Sequence, residues 1–66
     1  MTITLNGQTH EARPDCTVAD LLATMEVATK HVAVEVNLEI VPRSRLAEHR
    51  LNAGDQVEIV TLVGGG

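Results

Sequence analysis

Met1, Ile3 and Leu5 alternate with Thr2 and Thr4 and run straight into Asn6-Gly7, the dipeptide best suited to a tight turn whose central residues both need positive φ. No other feature of the chain restricts its fold as much, because it commits the N-terminus to an antiparallel hairpin in a fixed register. With a two-residue loop, Leu5 faces Gln8, Ile3 faces His10 and Met1 faces Ala12. His10 and Ala12 then share the buried side while Thr9 and Glu11 point to water, and the second strand ends near Pro14.

Thr17 followed by Asp20 reads as an N-cap with a carboxylate at the third helical position, and Val18, Leu21, Leu22 and Met25 follow at helical spacing. The helix is expected from Val18 to Glu26, with Lys30 and His31 near its negative end. From Val32 the period returns to two. Val32, Val34 and Val36 lie on one face of a candidate central strand, and Ala33, Glu35 and Asn37 on the other. Asn37-Leu38 turns the chain into a short strand, Glu39 to Val41, which Pro42 stops. Ser44 is the expected cap of a brief helical turn carrying Leu46 and Ala47, before Asn52-Ala53-Gly54-Asp55 turns into a last strand from Gln56 to Val63. This order predicts an α+β fold of the β-grasp type, a mixed sheet of four to five strands with one main helix packed on one face. Residues 1–63 form the expected domain and 64–66 a flexible glycine tail.

The functions open to such a chain are few. With 66 residues it buries only about 60% of the surface its unfolded form exposes, which leaves no room for an enclosed active site. Five Lys and Arg stand against nine Asp and Glu, and there are no aromatic residues. Nucleic-acid binding needs a basic stripe and stacking rings, so it is not expected. The longest apolar runs are three residues, Leu21 to Ala23 and Val32 to Val34, far too short for a membrane span or a signal-peptide core. The single cysteine, Cys16, cannot form an internal disulfide. A soluble cytoplasmic protein with an intact N-terminus is the expectation.

The side chains offer little chemistry. His10, His31 and His49 are scattered without a Cys or carboxylate at ligand spacing, so no metal site is expected. Cys16 precedes the helix N-terminus, where a thiol can be activated, but a small residue packed at the start of the helix is the favoured reading. Glu35 and Glu39 read as a solvated face. No glycine-rich loop precedes a helix to cradle a phosphate. What remains is Gly64-Gly65-Gly66, which taken alone reads as a frayed end, yet as a side-chain-free arm it can also thread a narrow channel and present its carboxylate to a partner's nucleotide. The strand before it carries its own signal. Glu58 cannot enter so thin a core unpaired, so Val57 and Ile59 face inward and Val60 and Leu62 lie on the open sheet face as a docking patch.

Asn6-Gly7, Thr17-Val18-Ala19-Asp20-Leu21-Leu22, Val32-Ala33-Val34-Glu35-Val36-Asn37, Ile40-Val41-Pro42-Arg43, Gly54-Asp55-Gln56-Val57-Glu58-Ile59-Val60 and Val63-Gly64-Gly65-Gly66 occur together in one order. Through them the whole chain resembles the ubiquitin-like sulfur carriers of thiamine thiazole biosynthesis, the ThiS type. It departs from that pattern in lacking an aromatic near the final strand and in ending on a third glycine.

The resemblance implies a protein co-substrate rather than an enzyme. An adenylyltransferase related to ubiquitin-activating enzymes, using ATP and magnesium, would activate the Gly66 carboxylate. Sulfur from a cysteine-derived persulfide would convert it to a thiocarboxylate, and thiazole synthase would take up that sulfur. The chain itself would bind no cofactor and no metal. Gly66 would be the reacting residue, with Val60, Leu62, Val63, Gly64 and Gly65 meeting the partners. Three alternatives stand behind this reading: the small subunit of molybdopterin synthase, a ubiquitin-like modifier joined to lysine through Gly66, and a plain β-grasp interaction module.

Overall fold

The computed structural model describes residues 1–61. Strands β1 (Thr2–Leu5) and β2 (Gln8–Glu11) form the N-terminal hairpin, α1 (Val18–Thr24) follows, then β3 (Val32–Val36), β4 (Glu39–Val41) and β5 (Gln56–Thr61). The five strands lie in the order β2-β1-β5-β3-β4, a mixed sheet in which β5 runs parallel to β1 and antiparallel to β3. This is the β-grasp arrangement expected from the sequence. The middle place belongs to β5; β3 is internal, between β5 and β4.

The Asn6-Gly7 turn does what its chemistry demands, with φ of 49° and 81°. The hairpin register pairs Ile3 with His10 and Leu5 with Gln8, and His10 and Ala12 are half-buried while Thr9 and Glu11 are exposed. One core results, in which Ile3, Val18, Leu21, Leu22, Val34 and Val57 are the most completely buried side chains. Burying each contributes about 1.5–3 kcal/mol.

Helix α1 begins as expected. Thr17 accepts from the Asp20 N–H at 3.1 Å while the Asp20 carboxylate accepts from the Thr17 N–H at 3.0 Å. The free N–H groups of Val18 and Ala19, which have no partner within the helix, donate to the carbonyls of His49 (2.9 Å) and Leu46 (2.9 Å). The segment before β5 therefore caps α1 from outside.

The end of α1 differs from expectation, because the helix stops at Thr24 with Met25 as its cap and Glu26 turns left-handed at φ 58°. Glu26 N–H then donates to Ala23 O (3.1 Å) and Val27 N–H to Leu22 O (3.0 Å), the paired closing bonds of a Schellman end. Glycine is the usual residue at that position, and glutamate there hid the stop. Consequently Lys30 and His31 are not at the end of α1 but in a separate 3-10 turn, Thr29–His31. Ser44 is likewise not a cap: it lies inside the 3-10 turn Arg43–Arg45, which Pro42 precedes without any side-chain capping bond.

The turn Asn52 to Asp55 ties β5 to its neighbours. Gly54 takes φ 86°, a conformation open to glycine at low cost, and its N–H donates to Thr2 O at 2.8 Å. Asp55 is nearly buried, and its carboxylate accepts from Asn52 N–H (2.8 Å) and Asn37 Nδ2 (3.1 Å). No buried side-chain polar atom among the described residues lacks a partner. No helix among them is long and apolar enough to cross a membrane.

Candidate functional site

The last described element, β5, is the middle strand of the sheet. β5 is held on one side by β1 through Thr4↔Gln56 and Leu5↔Val57, and on the other by β3 from Val36↔Val57 to Val32↔Thr61. Beyond the last backbone pair with β1, the Asn6 side chain takes over: its Oδ1 accepts from Ile59 N–H at 2.8 Å and its Nδ2 donates to Ile59 O at 3.3 Å. The strand that leads to the terminal glycines is thus anchored on both edges. Leu62, Val63, Gly64, Gly65 and Gly66, all expected to take part, lie outside the described residues.

The alternation in β5 follows the expectation drawn from Glu58. Val57 and Ile59 are buried, whereas Glu58 is exposed and Val60 keeps 57% of its surface in solvent. Val60 lies opposite Ala33, and Glu58 opposite Glu35. The cross-strand acidic neighbour of Glu35 is therefore Glu58, whereas Glu39 occupies the opposite pleat, facing Val36. One apolar residue of this face, Ile40, escaped the sequence reading. It stands opposite Glu35 and is 73% exposed. The signal was present, because a two-residue turn at Asn37-Leu38 forces Ile40 onto the face of Glu35.

Cys16 is buried, with Sγ 3.2 Å from Thr17 O. Desolvation by burial, and then the nearby Asp20 carboxylate, push its thiol pKa up, and its side chain belongs to the hydrophobic core. No group of three or more His, Cys, Asp or Glu capable of holding a metal is present among the described residues. Two carboxyls are held below their ordinary range. Asp20 owes this to the Thr17 backbone and then hydroxyl hydrogen bonds, Glu11 to the Thr2 hydroxyl and then the N-terminal ammonium. Each belongs to a cap or strand pair. What the described residues build is a scaffold: one open sheet face and one firmly anchored strand leading to a side-chain-free terminus.

Among the described residues, the sheet order and the one α-helix define a ubiquitin-like β-grasp protein. The ThiS family model matches residues 3–66, and the chain belongs to that family. It is 43% identical over 63 residues to the sulfur carrier protein ThiS of Bacillus subtilis, covering 94% of this chain and 96% of that one. The crystal structure of the thiamine biosynthesis protein ThiS from Geobacter metallireducens superposes with a TM-score of 0.85 at 32% identity, covering 100% of both chains. A thiazole synthase of Paramagnetospirillum magneticum is 44% identical over 66 residues, and there this chain spans only 20% of the relative's length.

Proposed function

We propose that the chain is a sulfur carrier for thiazole formation in thiamine biosynthesis, working in the cytoplasm as a co-substrate of other enzymes. Its membership of the ThiS family over residues 3–66, through the terminal glycines, carries this reading. A carboxylate is a poor electrophile, so the Gly66 carboxylate attacks the α-phosphorus of ATP in the active site of a partner adenylyltransferase, releasing pyrophosphate. ATP and magnesium belong to that partner. The outer sulfur of a cysteine persulfide attacks the acyl adenylate and displaces AMP, giving an acyl disulfide. A second thiol, supplied by the partner, attacks the cysteine sulfur, forming a disulfide and releasing the thiocarboxylate, which thiazole synthase consumes, returning the carboxylate. Gly64 and Gly65 give the arm the slimness to enter an adenylation channel, and Val60, Leu62 and Val63 contact the enzyme outside it. The occurrence of a related segment inside a thiazole synthase chain supports that enzyme as the acceptor.

The family assignment favours this reading over the small subunit of molybdopterin synthase and over a ubiquitin-like modifier. The test is ATP–pyrophosphate exchange by the host's adenylyltransferase in the presence of the chain. Exchange that depends on the full chain and disappears when Gly66 is deleted is expected; exchange unaffected by that deletion contradicts the proposal.

A further inference from the structure

The charges of this chain are spread unevenly over the fold. Segments 27–34, 40–47 and 59–66 hold Lys30, Arg43 and Arg45, three of the five Lys and Arg, and none of the nine Asp and Glu. The sheet brings the described parts of these segments to one end. Val32, the first residue of β3, lies opposite Thr61, the last of β5, and Val41, the last of β4, lies opposite Val34. The 3-10 turn Thr29–His31 leads into β3 and the 3-10 turn Arg43–Arg45 follows β4, so both lie at the end of the sheet where β5 finishes. They are joined there, because Arg43 Nη2 donates to Lys30 O at 3.0 Å. Lys30, His31 and Arg43 are exposed. Arg45 pairs with Glu48 at 3.1 Å, but among the described residues no ion pair engages Lys30 or Arg43.

A patch with two uncompensated cations, on a chain of net charge −4, is matched by carboxylates, which the guanidinium fork of arginine binds with particular geometric fit. We infer that this basic end of the sheet docks a cluster of Asp and Glu side chains on the adenylyltransferase, at the mouth through which that enzyme takes in the tail. The inference rests on the sulfur-carrier reading for the identity of the partner. Reach separates the patch from the nucleotide: Gly66 lies five residues beyond Thr61, and five extended residues span about 17 Å. A threaded tail thus carries the reacting carboxylate well away from Lys30 and Arg43. A molecule acidic elsewhere and basic at this end is also turned, as it nears an acidic mouth, with the tail foremost.

The test measures association with the host's adenylyltransferase, and carrier-dependent ATP–pyrophosphate exchange, for the full chain, Lys30→Gln, Arg43→Gln, Arg43→Lys and the double variant Lys30→Gln/Arg43→Gln. At roughly 0.05 M salt the double variant is expected to bind about three- to tenfold more weakly, as loss of two exposed ion pairs does. Its affinity meets that of the wild type at high salt, and in exchange the loss falls on the half-saturating concentration of carrier rather than on the maximal rate. Arg43→Lys, which keeps the charge, binds more tightly than Arg43→Gln. Unchanged affinity and salt slope in the double variant overturn the inference, while exchange with the wild-type chain keeps the carrier reading intact. A lowered maximal rate at unaltered half-saturation assigns the cations to the nucleotide and overturns it as well. If Arg43→Lys is as damaging as Arg43→Gln and Lys30→Gln is harmless, Arg43 is only a strut between the two turns and the inference fails. Absence of exchange with the wild-type chain refutes the carrier reading and this inference together.

Discussion

The carboxamide of Asn6 pairs with both backbone groups of Ile59, accepting from its N–H at 2.8 Å and donating to its carbonyl at 3.3 Å. A side chain at the hairpin turn thereby extends the β1–β5 ladder past the point where β1 itself turns away. Asn6 also sits at φ 49°, which asparagine tolerates better than most residues. Asn6→Gly keeps the backbone conformation and removes only the two bonds, so it is expected to cost about 1–2 kcal/mol in urea unfolding. Asn6→Ala adds left-handed strain of about 1 kcal/mol and should be worse. Equal stability of Asn6→Gly and wild type would show that the side chain does not hold β5.

Leu22 is completely buried in the same core cluster as Leu21 and Val18. Leu22→Ala should cost about 2–5 kcal/mol, much of what a domain of this size has. A strongly lowered denaturation midpoint is expected; an unchanged one would mean that α1 does not close the core.

The hairpin β3–β4 turns through Asn37 and Leu38, both left-handed, with Leu38 at φ 69° and 84% exposed. A leucine there carries strain of about 1 kcal/mol or more. Leu38→Gly creates the same dipeptide as the N-terminal turn and should raise stability by about 0.5–1 kcal/mol after the entropy cost of glycine. A drop in melting temperature would contradict the strain.

Asp20 gives the domain a defined acid response. Its folded pKa lies below the ordinary value, chiefly through the Thr17 backbone hydrogen bond, so its contribution is fully present above the ordinary carboxylate range. That contribution is lost as pH falls through the depressed folded value. Asp20→Asn should flatten stability against pH in this acid window and leave the slope near neutrality unchanged. Persistence of the full acid dependence in the variant would assign it to other carboxylates. Thr17→Ala, which removes the hydroxyl half of the cap, should cost about 1 kcal/mol.

Most of the fold was legible because its signals were local and chemically unambiguous. Asn6-Gly7 fixed the hairpin register, Thr17 and Asp20 marked the helix start, and Glu58 fixed which side of β5 faces the core. What escaped reading depended on residues in unusual roles. Glu26 ends α1 where glycine is the norm, the main chain of Leu46 and His49 caps α1 from across the fold, and Asn6 reaches Ile59 across 53 positions of sequence. The open face was half legible: the alternation exposed Val60 and the Asn37-Leu38 turn was enough to place Ile40 opposite Glu35, but the Glu35–Glu58 pairing emerges only when β3 is set beside β5.

The central claim is that Gly66 carries sulfur, and the intact mass of the chain isolated from its own host tests it most directly. The account predicts a population heavier by the replacement of one oxygen by sulfur, located at the C-terminal residue and absent when Gly66 is deleted. A chain found only as the free carboxylate, including when its adenylyltransferase and sulfur donor are abundant and thiazole synthase is removed, would contradict it.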